Sequence, residues 1–446
     1  MKRTNALLVV LFAALSTPGS AQYGPQPAPG ADQACPSAEM VPTGEGKDGI
    51  PSLTVPPVVS AADASRFLAP GALVLGVVLN GEARAYPHNV LWWHEVINDV
   101  LGGKPITVSF SSLTGSGMVY DPAIAGSTLS FGTSGFVLDN NQVLYDRMTD
   151  SLWAQMRLHA ACGKLGGTAV GLLPVVQSTW EAWRNLHPET TAVSFNTGFA
   201  RDYNQYPYGT YNQLDDTQLR FAQSFVDTRR AMKEPVLGLV QDGLARAYPY
   251  SGLGDRVAIN DELKGRPVLV VFDRAAQMAL PFDRRVGDRT FSFEPVEPTG
   301  FPFRLRDRET QTLWDLAGLA VSGPLAGSRL APIATYSAMW FAWAALFRGT
   351  EIYAPNAQAA DVVITIKGVN GNMSYEPNPA VVKVGQRVAW RNADLVTHTA
   401  TQDGGAFETG LIPAGATSIA VTPGIPGSFP YHCEIHPSMV ATLIVQ

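Results

Sequence analysis

The chain has 446 residues, 46% of them hydrophobic and 16% charged, with a formal net charge of −6. That length and apolar content allow more than one hydrophobic core, and a mildly acidic chain without basic runs is a poor partner for nucleic acid. Its three cysteines, Cys35, Cys162 and Cys433, are too few for a disulfide scaffold.

Residues 1–21 read as a signal peptide: Lys2 and Arg3 precede an apolar run from 6 to 15, and Gly19, Ser20 and Ala21 form a small-residue cleavage site. The run is too short to span a bilayer, and no later stretch is long and apolar enough. The expectation is an exported protein, periplasmic or extracellular, with no transmembrane segment. Residues 22–65, rich in Pro, Gly and Ser, read as a leader wrapped on or tethered to the first domain.

An internal repeat follows. "GEARAYP" at 81–87 returns as "GLARAYP" at 243–249, and "IND" at 97–99 returns at 259–261, both 162 residues later. The register slips by one, so that Asp146-Arg147 meets Asp307-Arg308 and Trp153 meets Trp314. It then slips once more, setting Trp180 and Trp183 against Trp340 and Trp343. This predicts two tandem copies of a strand-rich α+β domain, 66–200 and 230–355. In the first, β-type runs around Asn80-Gly81 predict a hairpin. "HNVLWWHEVINDVLG" predicts a helix ending on Gly102, short β-rich runs follow, and "STWEAWRNLHP" predicts a helix stopped by Pro188.

His94 and Glu95 on the first predicted helix are candidate catalytic groups, because the second copy lacks them. His94 could serve as an acid/base group or a metal ligand, although a lone helical histidine is more often a hydrogen-bonded structural residue. Tyr145, with Asp146 and Arg147, could line the same cleft, but the Asp-Arg pair recurs in the second copy and fits a structural ion pair. On "GEARAYPHNVLWWHEVINDVLGGKPITVSFSSLTGSGMVYD", "LSFGTSGFV", "LYDRMTDSLWAQM" and "TWEAWRNLHP", the first copy resembles the family known as domain of unknown function 3179 (DUF3179), over nearly all of 75–190. The second copy looks like a degenerate relative. The resemblance implies a fold and an export habit but no activity. Where many members carry a cysteine or a Cys-x-x-Cys-like pair, this chain has Ser111 and Thr114, which removes any thiol-redox chemistry there.

From 361 to 446 the chain alternates between apolar and polar residues in short runs with turn signals between them, which predicts a β-sandwich. Cys433, His436 and Met439 are spaced Cys-x2-His-x2-Met before the last strand, and His398 follows an earlier one. A thiolate, two imidazoles and a weak thioether are the donor set of a blue-copper electron-transfer site, whereas zinc makes less use of a thioether. His432, beside the cysteine on a strand, points away by alternation. If metal occupies Cys433, Cys35 and Cys162 are the pair left to join in an oxidising compartment.

"VGQRVAWRNAD" with "HT", and "YHCEIHPSM", resemble the plastocyanin and amicyanin type of cupredoxin across 361–446. That resemblance implies a Greek-key sandwich holding one mononuclear blue copper, with His398, Cys433 and His436 as equatorial ligands and Met439 as the axial one. Thr399 stands where many relatives carry an Asn that braces the cysteine loop. No phosphate-binding glycine loop, no Gly-x-Ser-x-Gly elbow and no His-x-His pairs of a trinuclear cluster occur. The expected function is electron transfer with a redox partner protein. The alternatives are a copper-dependent oxidoreductase with a substrate cleft in the first copy, and a non-catalytic copper-binding or partner-docking protein.

Overall fold

The structure, a computed structural model, describes residues 35–296, 301–354, 360–418 and 420–446. The signal peptide expected at 1–21 lies outside the described residues, as does the start of the leader.

Asn80 and Gly81 both take positive φ, 50° and 84°, and close a tight hairpin between Leu73–Leu79 and Glu82–Pro87. Val176–Thr179 extends this pair on one side, and on the other Thr191–Val193 runs parallel to it, followed by Val58–Ser60. A second sheet runs Gly171–Leu173, Ser116–Asp121, Lys104–Ser111, Val96–Leu101, Leu53–Thr54, and a third is built on Phe131–Leu138 and Asn141–Asp146. The leader gives a strand to each sheet through Val41–Pro42, Leu53–Thr54 and Val58–Ser60, so from residue 35 it is part of the fold. Cys35 is joined to Cys162 by a disulfide.

One expected helix is shorter than its periodicity predicts. It spans only His88–His94, Glu95 follows at φ 56°, and Val96–Leu101 is a strand paired with Lys104–Ser111 across Gly102-Gly103. An apolar run of this length satisfies either period. The β-branched Val96, Ile97 and Val100 and the adjacent glycine turn make strand pairing the better use of it.

The second half repeats several local devices at the same spacing. Arg84 and Tyr86 both bond Asp99, at 2.7 and 2.8 Å, and 162 residues on Arg246 and Tyr248 bond Asp261, each at 2.6 Å. The indole N–H of Trp153 donates to Asp146 (3.0 Å) and that of Trp314 to Asp307 (2.9 Å). The halves grip each other reciprocally, Met339 N–H donating to the Thr114 carbonyl at 2.8 Å and Thr179 N–H to the Ala276 carbonyl at 2.9 Å. One apolar cluster, which includes Met118, Phe131, Trp153, Trp340 and Trp343, spans both halves.

Beyond the second half, a three-stranded sheet containing Val362–Ile366 and Val388–Asn392 faces a four-stranded one containing Gly427–His432 and Val440–Val445. Ile364, Trp390, Tyr375 and Tyr431 fill a separate core between them. The fold is thus mainly β, with strand-rich α+β halves followed by a sandwich. No helix among the described residues is long and apolar enough to cross a membrane.

Candidate metal centre

Strand Val388–Asn392 leads into a loop that sets His398 opposite Ile412, and the two exchange backbone hydrogen bonds of 3.1 and 2.7 Å. Strands Gly427–His432 and Val440–Val445 pair antiparallel, and the loop 433–439 between them folds on itself. Cys433 N–H donates to the Met439 carbonyl (3.1 Å), His436 N–H to that of Cys433 (3.2 Å) and Met439 N–H to that of His436 (2.9 Å). These bonds hold Cys433 and His436 on one side of the loop, facing His398.

The Nδ1 atoms of His398 and His436 lie 3.2 Å apart, and each is 3.8 Å from Cys433 Sγ. The point equidistant from all three is about 2.1 Å from each, close to metal–imidazole distances of about 2.0–2.1 Å and metal–thiolate distances of about 2.3 Å. The three residues are the one His/Cys/Asp/Glu group of metal-holding geometry among the described residues. Cys433, His398 and Met439 are fully buried, while His436 is half-buried. His432 lies outside the group, its Nδ1 2.7 Å from Asp403 Oδ1, as strand alternation requires.

The surrounding shell is built from the backbone inward. Thr399 N–H donates to Cys433 Sγ (3.3 Å), and Thr399 Oγ1 accepts the Glu434 N–H (2.8 Å). Thr399 therefore ties the two loops together. On the far side of the ring, His398 Nε2–H donates to Asp394 Oδ2 (2.8 Å), which aims Nδ1 at the thiolate. That bond, with the Leu395 N–H, holds the Asp394 carboxyl below the usual carboxylate range. Sequence reasoning missed Asp394, because nothing in "NADLVTH" says which loop carboxylate faces which ring nitrogen.

The structure separates the three first-half candidates. His94 is buried, with Nδ1 2.7 Å from the Pro51 carbonyl and Nε2 2.7 Å from the Tyr203 hydroxyl, so both ring nitrogens are spent on structure. Burial lowers its pKa, consistent with a neutral ring. Tyr145 donates to Asp48 Oδ2 (2.5 Å), and Arg147 pairs with Asp48 rather than with Asp146. Glu95, whose neighbours His94 and Tyr145 do not line it, borders a cavity of about 120 Å³.

A family profile of cupredoxin-like domains matches residues 335–445, so the chain contains a cupredoxin-like domain. The profile for the family described as protein of unknown function (DUF3179) matches 47–350, taking in both halves, and the chain belongs to that family. The cupredoxin-like match begins inside the second half, whereas the sandwich strands begin at Val362. Among solved structures, the Cu(I) form of one amicyanin variant is 25% identical over 21% of this chain and 87% of its own, with a TM-score of 0.18. The oxidised form of another is 26% identical over the same shares, also with a TM-score of 0.18. The cupredoxin-like domain and the His398, Cys433 and His436 cluster together point to copper as the metal.

Proposed function

We propose that the chain transfers single electrons through one mononuclear copper of the blue type, held by His398, Cys433 and His436 with Met439 as a weak fourth ligand. The observation that carries this reading is the donor triangle, whose 3.2 and 3.8 Å sides leave room for one ion at bonding distance from all three atoms. Copper there supplies a one-electron couple, and this donor set suits both of its oxidation states.

The chain's own residues keep the site rigid and give it an exit. Thr399 braces the cysteine loop, and Asp394 fixes the His398 ring. His436 is the donor residue nearest solvent, flanked by exposed Ile435 and Pro437, with exposed Leu395 and Val396 on the His398 loop. An apolar rim around a half-buried imidazole suits brief docking of a redox partner protein. We assign the DUF3179 portion to binding a partner or substrate and read its halves as two copies of one unit. The reciprocal backbone contacts and the matched Arg–Tyr–Asp triads support that reading. Export belongs to the proposal too, resting on the basic, apolar and small-residue order of 1–21 and on the Cys35–Cys162 disulfide.

Protein purified from an exporting host, with fractionation recording its compartment, should hold copper at near one per chain and show an intense visible thiolate-to-copper band. Cys433→Ser should abolish the colour, and His398→Ala should abolish or severely alter it. A fully blue Cys433→Ser protein would sink the assignment. Pro437→Glu should slow electron exchange with a partner while leaving the band intact.

A further inference from the structure

The leader covers the first half along one path. Over the sheet built on Phe131–Leu138 and Asn141–Asp146, Asp48 accepts from the Tyr145 hydroxyl (2.5 Å) and pairs with Arg147 (2.9 Å). Tyr145, Leu152 and Cys162 are successive cross-strand partners and share that face, all three are buried, and Cys162 holds Cys35. Further along, Val55 N–H donates to the Asn98 carbonyl (2.8 Å) beside the strand Leu53–Thr54. Ser194 N–H donates to the Pro57 carbonyl (2.8 Å) beside Val58–Ser60. One extended segment thus binds by charge at one end and by strand addition at the other.

The matching path on the second half is open among the described residues. The Asp–Trp pairs align Asp146 with Asp307, which sets Arg304, Arg306 and Arg308 in the places of Val143, Tyr145 and Arg147. Across the sheet from Arg306 lie Glu294 and Leu313, and the partner of Leu313 is Ser322, which stands where the first half anchors its disulfide. Val143 and Tyr145 are buried, whereas Arg304 is exposed and Arg306 half-buried. Arg308 pairs with Glu294 (3.1 Å), but Arg304 and Arg306 have no ion pair among the described residues. The strands Arg256–Leu263 and Glu351–Ile352 each end their sheets there. Asn260 holds the Phe293 backbone as Asn98 holds that of Phe131, and the Trp343–Thr350 bond matches Trp183–Thr190, which aligns Ala354 with Ser194. Asn260 and Ala354 are both exposed.

We infer that this path on the second half docks an extended acidic segment of a partner protein, with carboxylates on Arg304 and Arg306 and its backbone added to the two open edges. Resting on the reading of the halves as two copies of one unit, it gives the partner role of the DUF3179 portion a place. Uncompensated arginines call for carboxylates, as Asp48 supplies on the first half, and an open strand edge calls for another extended chain. The occupant is not the leader of a second copy, because a disulfide and three strands hold each leader to its own first half. Ser322 in the place of Cys162 suits a partner that is held without a covalent bond and can leave.

A capped, fluorescently labelled peptide of residues 39–60, which carries Glu39, Glu45 and Asp48 against Lys47, probes that chemistry. In anisotropy titrations the full-length, copper-loaded protein should bind it saturably, and since the protein's own leader fills the first-half path, the second half is the site read. Arg304→Glu with Arg306→Glu should weaken binding about tenfold or more. Ala354→Pro, which deletes the N–H matching that of Ser194, should weaken it about three- to tenfold. These variants act on different elements, so one remains informative if the other fails to fold. Absence of saturable binding overturns the inference. Binding that survives both variants also overturns it, but puts recognition on another face and leaves the broader partner role of the DUF3179 portion standing. The copper band, expected unchanged throughout, reports the redox reading separately.

Discussion

Asp394 and Thr399 show how much of a metal site lies beyond its donor atoms. Asp394→Asn keeps the size of the side chain but removes the carboxylate that orients His398. Copper affinity, measured by competition with a chelator, should fall about 10- to 100-fold, and an unchanged affinity would show that the ring is held by packing alone. Thr399→Ala deletes the acceptor of the Glu434 N–H and should cost about 1 kcal/mol in unfolding followed by the copper colour, with Thr399→Ser restoring most of it. Glu95 carries a pH signature. Its carboxyl sits near 8 when folded, against a reference value of 4.5, so the folded state favours the protonated form. Its contribution is complete below the unfolded value, and it is lost as pH rises through the window from about 4.5 to about 8, by an amount on the order of a few kcal/mol. Glu95→Gln should flatten this part of the stability profile, and chemical denaturation across that range reads it directly. A parallel profile for the two proteins would mean that the carboxyl ionises freely in the fold.

At the level of elements, each half presses a tryptophan onto a strand that has room only for glycine. A Cβ on Gly76 would lie 2.2 Å from the Trp183 ring, and one on Gly238 would lie 2.0 Å from that of Trp343. Gly76→Ala and Gly238→Ala should each lower the urea midpoint by the equivalent of about 1–3 kcal/mol or more, since neither the strand nor the buried indole can give way cheaply. A neutral result at either position would mean that the helix Trp180–Leu186 or Trp340–Leu346 sits less tightly than its contacts indicate. Elements also mark where sequence reading succeeds. The Asn80-Gly81 hairpin and the short helix from Trp180 are written in local chemistry, a turn pair at positive φ and a Thr179 side chain accepting the Ala182 N–H. The run after His94 ends on a turn pair too, Gly102-Gly103 at positive φ, but its start at Glu95 carries no such signal, and its strand is completed by its partner, Lys104–Ser111.

Across the whole molecule, the disulfide and the candidate metal site lie in different cores. The Cys35–Cys162 disulfide ties the leader to the first half across 127 residues, whereas the metal donors sit in the separate cluster around Trp390 and Tyr431. Cys35→Ser with Cys162→Ser should lower the unfolding free energy of the DUF3179 portion by up to about 4–5 kcal/mol in the chain-entropy account. The copper band of the same double variant should keep its position and intensity. A bleached or shifted band would reveal coupling between the two cores.

What the sequence determined by itself is the chemistry carried by neighbours along the chain. Cys433 and His436 share one short loop, and a hairpin turn needs only its own two residues, so spacing and residue type pointed to both. Tertiary structure alone decided what depends on residues far apart in sequence. It placed three leader strands in three sheets, locked His94 between Pro51 and Tyr203, set Thr399 against Glu434, and gathered Glu95 and Gln142 around one cavity. The physical reason is that burial and counter-charge belong to a place in the fold. The Glu95 carboxyl is displaced by what surrounds it, and no reading of "WWHEVIND" contains those surroundings.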